Sequence, residues 1–257
     1  MRKLVAALAL GAVLATVAVG QSDHNNIDAG RPLRFDDASS IAFRERALEI
    51  GLSLSSFRRT APTYGLRAEY KVGFAKNQDI GITFAPRIGG GDRRFDPGNV
   101  EIAYFNAMRR EIEDSPALAY RVELGLPTGR GSRGVDAKLR GIATRALGQY
   151  DKLHINLDID VASNPKPDER NVAFGAILGY SSPIGYPRRF DQTIVAEFAV
   201  QQSRRRGLGF SGTLGVGLRQ QLGPHTVFDV GLESDIFGPR GVERSPLKLT
   251  IGYSIGF

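Results

Sequence analysis

The sequence predicts an all-β fold, a transmembrane antiparallel up-and-down β-barrel of about twelve strands with both termini in the periplasm. Three observations carry that expectation: an export leader, a two-residue hydrophobic period over most of the chain, and connections that alternate between short and long. Arg2 and Lys3 precede an uncharged apolar run from Leu4 to Val19, and Ala18-Val19-Gly20 puts small residues before Gln21. This is the layout of a Sec signal peptide, residues 1–20; the run is short for a span of about 20 residues and has no basic stop-transfer flank. Cleavage of 20 of the 257 residues leaves 237, enough for one barrel, and lowers the formal charge from +7 to about +5. The chain has no cysteine, which excludes a lipoprotein site, disulfides and thiol chemistry. No later segment is apolar for long enough to be a transmembrane helix, so insertion must use strands.

From Ala47 onward, apolar residues recur every second position. Leu48, Ile50, Leu52 and Leu54 mark a first strand; Leu66 to Phe74 and Ile80 to Phe84 follow, joined by a tight Asn77-Gln78-Asp79 turn. Val100 to Tyr104, Leu118 to Leu126, Val135 to Thr144 and Leu153 to Val161 continue the series. Val172 to Tyr180, Ile194 to Val200, Phe210 to Leu218, Thr226 to Leu232 and Leu247 to Phe257 complete it. Segments of about ten residues suit a tilted crossing of a bilayer. Connections after the even-numbered strands are mostly short, and the others are longer and rich in Gly and Arg, as expected of periplasmic turns and external loops. Residues 21–40 are then a periplasmic segment and 41–257 the barrel. With about 20 mature residues before the first strand, no large N-terminal hatch is expected.

The second face of the dyad is polar and becomes the lumen. Its candidate lining residues are Arg67, Glu69, Lys71, Arg121, Glu123, Lys138 and Arg140, followed by His154, Asp158, Asp160, Arg219, Asp229 and Lys248. Glu45, Glu49, Glu101, Glu197 and Glu233 join them. Both signs are represented without a large excess, which fits either a salt-bridged, closed interior or a weakly selective pore. At the C-terminus, Tyr253, Ile255 and Phe257 stand two residues apart with an aromatic last, resembling the signal read by the outer-membrane assembly machinery.

Arginines cluster in the connections: Arg58-Arg59, Arg93-Arg94, Arg130, Arg133, Arg188-Arg189, Arg204-Arg205-Arg206, Arg240 and Arg244. Guanidinium forks suit lipopolysaccharide phosphates, so outer-membrane lipid and lipopolysaccharide are expected partners. The basic residues share no single face, which argues against nucleic acid.

Enzymatic readings are weak. His24, His154 and His225 are the only histidines, and none sits two residues from a serine on a strand, the arrangement of barrel hydrolases. The row His154, Asn156, Asp158, Asp160 offers metal-ligand chemistry, but alternate residues along a strand lie about 6.5–7 Å apart and do not converge. Gly89-Gly90-Gly91 is followed by no helical pattern and reads as a loop. No cofactor, metal or catalytic residue is expected.

The stretch Ser115-Pro116-Ala117-Leu118-Ala119-Tyr120-Arg121-Val122-Glu123-Leu124-Gly125-Leu126-Pro127-Thr128-Gly129, an alternating strand ending in Leu-Pro-Thr-Gly, resembles a signature of the outer-membrane "MetA-pathway of phenol degradation" family. The Asn77-Gln78-Asp79-Ile80-Gly81-Ile82 hairpin is similar to that family's turn-into-strand pattern, and the strand layout extends the likeness over about residues 40–257. The resemblance implies a transporter-like barrel for small hydrophobic or aromatic molecules and supplies no site residues. The functional expectation is therefore an outer-membrane channel or transporter for a small-molecule substrate. The alternative is a structural or lipopolysaccharide-interacting barrel with a closed lumen.

Overall fold

A computed structural model describes residues 23–27, 30–57, 60–90, 94–185, 190–239 and 244–257. The signal peptide and the arginines Arg58-Arg59, Arg93, Arg188-Arg189 and Arg240 lie outside the described residues. Twelve strands form the barrel wall: β1 (Arg46–Ser56), β2 (Thr63–Ala75), β3 (Gln78–Phe84), β6 (Val100–Arg109), β7 (Ala117–Leu126), β8 (Asp136–Leu147), β9 (Asp151–Ala162), β10 (Val172–Ile184), β11 (Gln192–Gln202), β12 (Phe210–Gly223), β13 (Thr226–Phe237) and β14 (Leu247–Gly256). Each pairs antiparallel with its neighbour in sequence, and β1 pairs with both β2 and β14, so the sheet closes on itself. The dyad segments all coincide with these strands. Between β3 and β6, in a stretch read from sequence as loop, β4 (Arg87–Gly89) and β5 (Phe95–Asp96) make a small extra ladder that β4 joins to β2. Ala85-Pro86 separates β4 from β3, because proline cannot donate to a ladder.

Closure follows from the solvent. Hydrocarbon offers no partner to a backbone N–H or C=O, so a spanning sheet can leave no edge unpaired. Side-chain polarity is inverted to match. Along β9, Ile155, Leu157, Ile159 and Val161 face outward and exposed, while His154, Asn156, Asp158 and Asp160 face inward and are buried. The same alternation runs through β1, β11 and β13, giving an apolar outer belt and a charged interior.

Both chain ends of the barrel meet at one rim, where Arg46 and Phe257 exchange backbone hydrogen bonds of 2.9 Å. The connections at this terminus rim are 76–77, 110–116, 148–150, 185–191 and 224–225; those at the opposite, loop rim are 57–62, 85–99, 127–135, 163–171, 203–209 and 238–246. The terminus-rim connections run from two to seven residues and the loop-rim ones from six to fifteen, so the longer connections gather at the loop rim.

One difference from the sequence reading changes the picture of the interior. The described part of the segment expected ahead of the barrel, from Asp23 onward, runs inside it. It enters at the terminus rim beside β11 and β12, where the backbone N–H of His24 donates to Gln221 and its ring meets Thr193. It reaches about mid-height at Gly30 to Arg34, against Arg67, Glu197 and Glu233. Phe35 to Ala38 then descend along β8 to β10, and Arg44 leaves at the terminus rim by bonding Gly73. The segment is short, but it fills the lower half of the lumen because its charges and apolar side chains find partners there.

Leu157, 59% exposed in the middle of β9, tests the inverted polarity. Leu157→Arg should cost about 2–4 kcal/mol near the bilayer midplane, read by denaturant unfolding of the protein refolded into vesicles. Unchanged stability would contradict an outward, lipid-facing position.

Candidate functional site: a charged lumen with an internal plug

The candidate lumen residues all project inward, and the structure sorts them into networks. Just below mid-height, Arg31 of the plug lies 2.7 Å from Glu49 and 3.0 Å from Asp229, and it donates to the Ser254 hydroxyl at 2.9 Å. Lys71 bonds Glu49 at 3.2 Å, and Arg219 lies 2.9 Å from Asp229 while donating to the Asn26 carbonyl. Two wall carboxylates and two wall cations therefore surround one plug guanidinium. Arg31, Glu49, Lys71, Arg219 and Asp229 are all nearly fully buried.

A second network binds Arg34 to Glu233 at 2.7 Å, with Lys248 on the other oxygen of that carboxylate. Glu197 accepts the backbone N–H groups of Arg34 and Phe35 at 2.8 and 3.2 Å. In a third, Arg140 grips Asp158 with two bonds of 2.7 and 2.8 Å and reaches Asp36 of the plug at 2.9 Å. Lys138 stands 3.8 Å from Asp158 and 3.6 Å from Asp160. A fourth lies in the wall: Arg67 pairs with Glu69 and Glu101, and Arg121 with Glu69 and Glu123. Buried charges survive only when paired and hydrogen-bonded, so three of these networks need the plug to be complete.

Apolar contacts add to the plug's hold. Ile27, Leu33 and Phe35 form a buried cluster with Ile177, Val195 and Ala199 of the wall, and Ala38 joins Phe105, Ala119 and Ile142. Each large side chain removed from water contributes about 1.5–3 kcal/mol. The wall makes room with glycine. A Cβ at Gly179 would stand 2.6 Å from the Phe35 ring, one at Gly215 would stand 2.8 Å from Leu33, and one at Gly231 would collide with the Pro32 backbone.

His154 is fully buried against Phe35, ring centroids 4.9 Å apart, with Thr144 Oγ1 at 3.1 Å on one nitrogen and Ser181 Oγ at 3.0 Å on the other. Thr144 also accepts the backbone N–H of Ala38. The row His154, Asn156, Asp158 and Asp160 does not act as one group: Asn156 binds both the N–H and the C=O of Asp36, and the two aspartates serve the cations above. Among the described residues, no three His, Asp or Glu side chains converge as metal ligands.

Above the plug a cavity of about 880 Å³ opens to the loop rim, with Gly30, Arg67 and Thr250 among its lining. Below it, near Asn26 and Glu45, the space is about 30 Å³. The β4–β5 ladder frames the mouth. Asp96 accepts the backbone N–H of Arg130 at 2.7 Å and of Gly98 at 3.0 Å and pairs with Arg87 at 2.8 Å. These donors, the Arg130 N–H first, hold its carboxyl below the usual range, so its pin on the 127–135 loop is complete at neutral pH and is lost only as pH falls through that lowered value. Arg204 at the mouth reaches Asp136 at 3.3 Å, and Arg206 donates to the Glu169 carbonyl.

Sequence periodicity finds the wall residues and misses Arg31, Arg34, Asp36 and Phe35, because the plug has no regular period. The available signal was the placing of glycines at lumen positions, where a wall that needed only itself would carry side chains.

Two changes test the plug. Arg31→Met leaves Glu49 and Asp229 short of a buried cation and should cost about 3–5 kcal/mol, read as a lower melting temperature and faster proteolysis of residues 23–44. Gly231→Val should expel the same segment while the folded barrel still migrates faster than the boiled one on a gel. A protected segment in both variants would contradict the packing described.

No family model and no curated protein sequence matches the chain, so the likeness to the phenol-degradation family rests on its short motif. Solved structures do match. An outer membrane channel from Pseudomonas putida F1 superposes with a TM-score of 0.68 at 13% identity, covering 90% of this chain and all of that one. The NanC porin gives 0.60 at 12% identity over 81% of this chain and 98% of its own, and the KdgM porin 0.55 at 11% over 82% and 99%. At such identities the likeness concerns the fold: the chain shares the closed β-barrel architecture of these channel and porin structures.

Proposed function

We propose that this protein is an outer-membrane channel for small molecules, exported through Sec and inserted with its termini in the periplasm. Its N-terminal segment closes the lumen from the periplasmic side. One observation carries the reading: the lumen is obstructed by a tethered segment rather than by wall side chains meeting across it. Wall–wall packing would be permanent, whereas a segment joined to the wall at Arg46 can leave without unfolding the barrel. The solved structures of similar fold, named as a channel and as porins, support the same class, and no catalytic role is assigned. The motif likeness extends the proposal to small hydrophobic or aromatic substrates. Tyr253, Ile255 and Phe257 would be read by the assembly machinery, and exposed Arg133, Arg205 and Arg206 would meet lipopolysaccharide phosphates.

The buried networks favour one second reading, a structural barrel whose plug never leaves. Planar-bilayer recording separates the two. As a channel, the refolded mature chain should open rarely, and Arg31→Met should raise the open fraction at least tenfold with weak ion preference. Silence in both, from correctly folded protein, would favour the structural reading.

A further inference from the structure

The plug doubles back inside the barrel, and Asp37 ties its inbound and outbound limbs together. The backbone N–H of Asp37 donates to the Ile27 carbonyl at 2.9 Å. Its carboxylate accepts the Ile27 N–H at 3.3 Å on one oxygen and the Ser39 N–H at 3.0 Å on the other. One end of the Asn26 amide stands 3.0 and 3.3 Å from the same two oxygens. An amide can present either end: its NH₂ donates to an ionised carboxylate, and its oxygen accepts from a protonated one. The clasp therefore has bonds to make in both charge states.

Asp37 differs from the other plug charges in having no countercharge. It is 2% exposed, and among the described residues no cation stands within ion-pair distance of it. Asp36, one residue earlier, has Arg140 at 2.9 Å. The charged groups that Asp37 feels are Lys152 of β9, beyond pairing distance, and Asp36. Arg219 of β12 is occupied by Asp229 and the Asn26 carbonyl, and Asp79 of β3 takes the Ile41 N–H further along the outbound limb. Thr144 of β8, which accepts the Ala38 N–H, is uncharged. An enclosed carboxylate without a cation favours its neutral form. Burial pushes the Asp37 carboxyl up to about 6, against Lys152 and the two N–H donors. Once released into water, Asp37 ionises at the ordinary carboxylate value. The docked segment thus holds the proton more tightly, and docking is favoured as pH falls from about 6 toward that ordinary value.

We propose that Asp37 is an acid-tightened clasp: on taking up a proton it binds the two limbs more firmly, so the plug leaves the lumen less often in acid. This rests on the reading of the segment as able to leave. His24, at the plug's entry, acts in the opposite sense, because burial lowers its imidazole and its protonation favours release. The test is therefore a difference between two proteins that share His24. Hydrogen exchange of the refolded mature chain in detergent, corrected for intrinsic amide rates, gives the released fraction. It is read at the N–H groups of Phe35, Asp36 and Ala38, which bond Glu197, Asn156 and Thr144 rather than Asp37. Asp37→Asn keeps the shape of the clasp and cannot ionise. The released fraction of the wild type divided by that of Asp37→Asn should fall about tenfold between about pH 7.5 and about pH 5. A ratio that ignores pH, or rises toward acid, would overturn the proposal and leave the channel reading standing. Exchange too slow to detect at every pH would overturn both, since the segment would never leave. Should Asp37→Asn fail to refold, Asp37→Ser serves the same comparison, keeping an acceptor for the Ser39 N–H.

Discussion

The constraint beneath everything else is that hydrocarbon cannot bond a backbone amide. It forces the sheet to close through β1 pairing with both β2 and β14, and closure makes the only polar environment an enclosed one. Polar side chains then crowd into the lumen, where a charge without a partner is costly. The wall does not solve this alone. Glu49 has Lys71, Asp229 has Arg219 and Glu233 has Lys248 on the wall, and Arg31 and Arg34 of the plug supply the remaining cations, Arg34 for Glu197 as well as Glu233. On the opposite side Arg140 takes Asp36 as its second carboxylate. The order Arg31, Arg34, Asp36 along the segment matches the order of charges it meets across the barrel. Plug and wall are complementary in charge as well as in shape.

That complementarity divides the lumen into unlike halves. Below mid-height the interior is filled and charge-paired, with a small apolar cluster at Leu33 and Phe35 that resembles the core of a water-soluble protein. Above it a cavity of about 880 Å³ opens to the loop rim, lined by side chains of β1, β2 and β14 and by the loops at the mouth. A solute entering from the loop rim would therefore meet a shaped, charged chamber before it met the obstruction.

Much of this was legible in the sequence, for a physical reason. Period-two alternation is imposed directly by the strand, so Ile155, Leu157 and Ile159 against His154, Asn156 and Asp158 give both the element and its orientation. The alternation of connection lengths gives the two rims. The plug was not legible because the described residues between 23 and 44 adopt no repeating structure, and their place depends on contacts with strands more than a hundred residues away, as in Asp36 with Asn156. Gly179, Gly215 and Gly231 at inward positions were the trace it left, visible as abundance but not as purpose. The β4–β5 ladder was missed for a smaller reason: strands of two and three residues are too short to show a period. His154 was read as one of a polar row, and its actual companions, Thr144 and Ser181, come from the adjacent strands.

The central claim, that the N-terminal segment occupies the lumen and closes it, meets its most direct test in a single engineered bond. Ala38 of the plug donates its backbone N–H to Thr144 of β8 at 3.0 Å, and the chain has no cysteine of its own. In the double variant Ala38→Cys with Thr144→Cys, mild oxidation should form the disulfide in nearly every folded molecule and abolish channel openings, and reductant should restore them. An oxidised, fully cross-linked barrel that conducts as well as the reduced one would contradict the account, as would a failure of the two cysteines to react in folded protein.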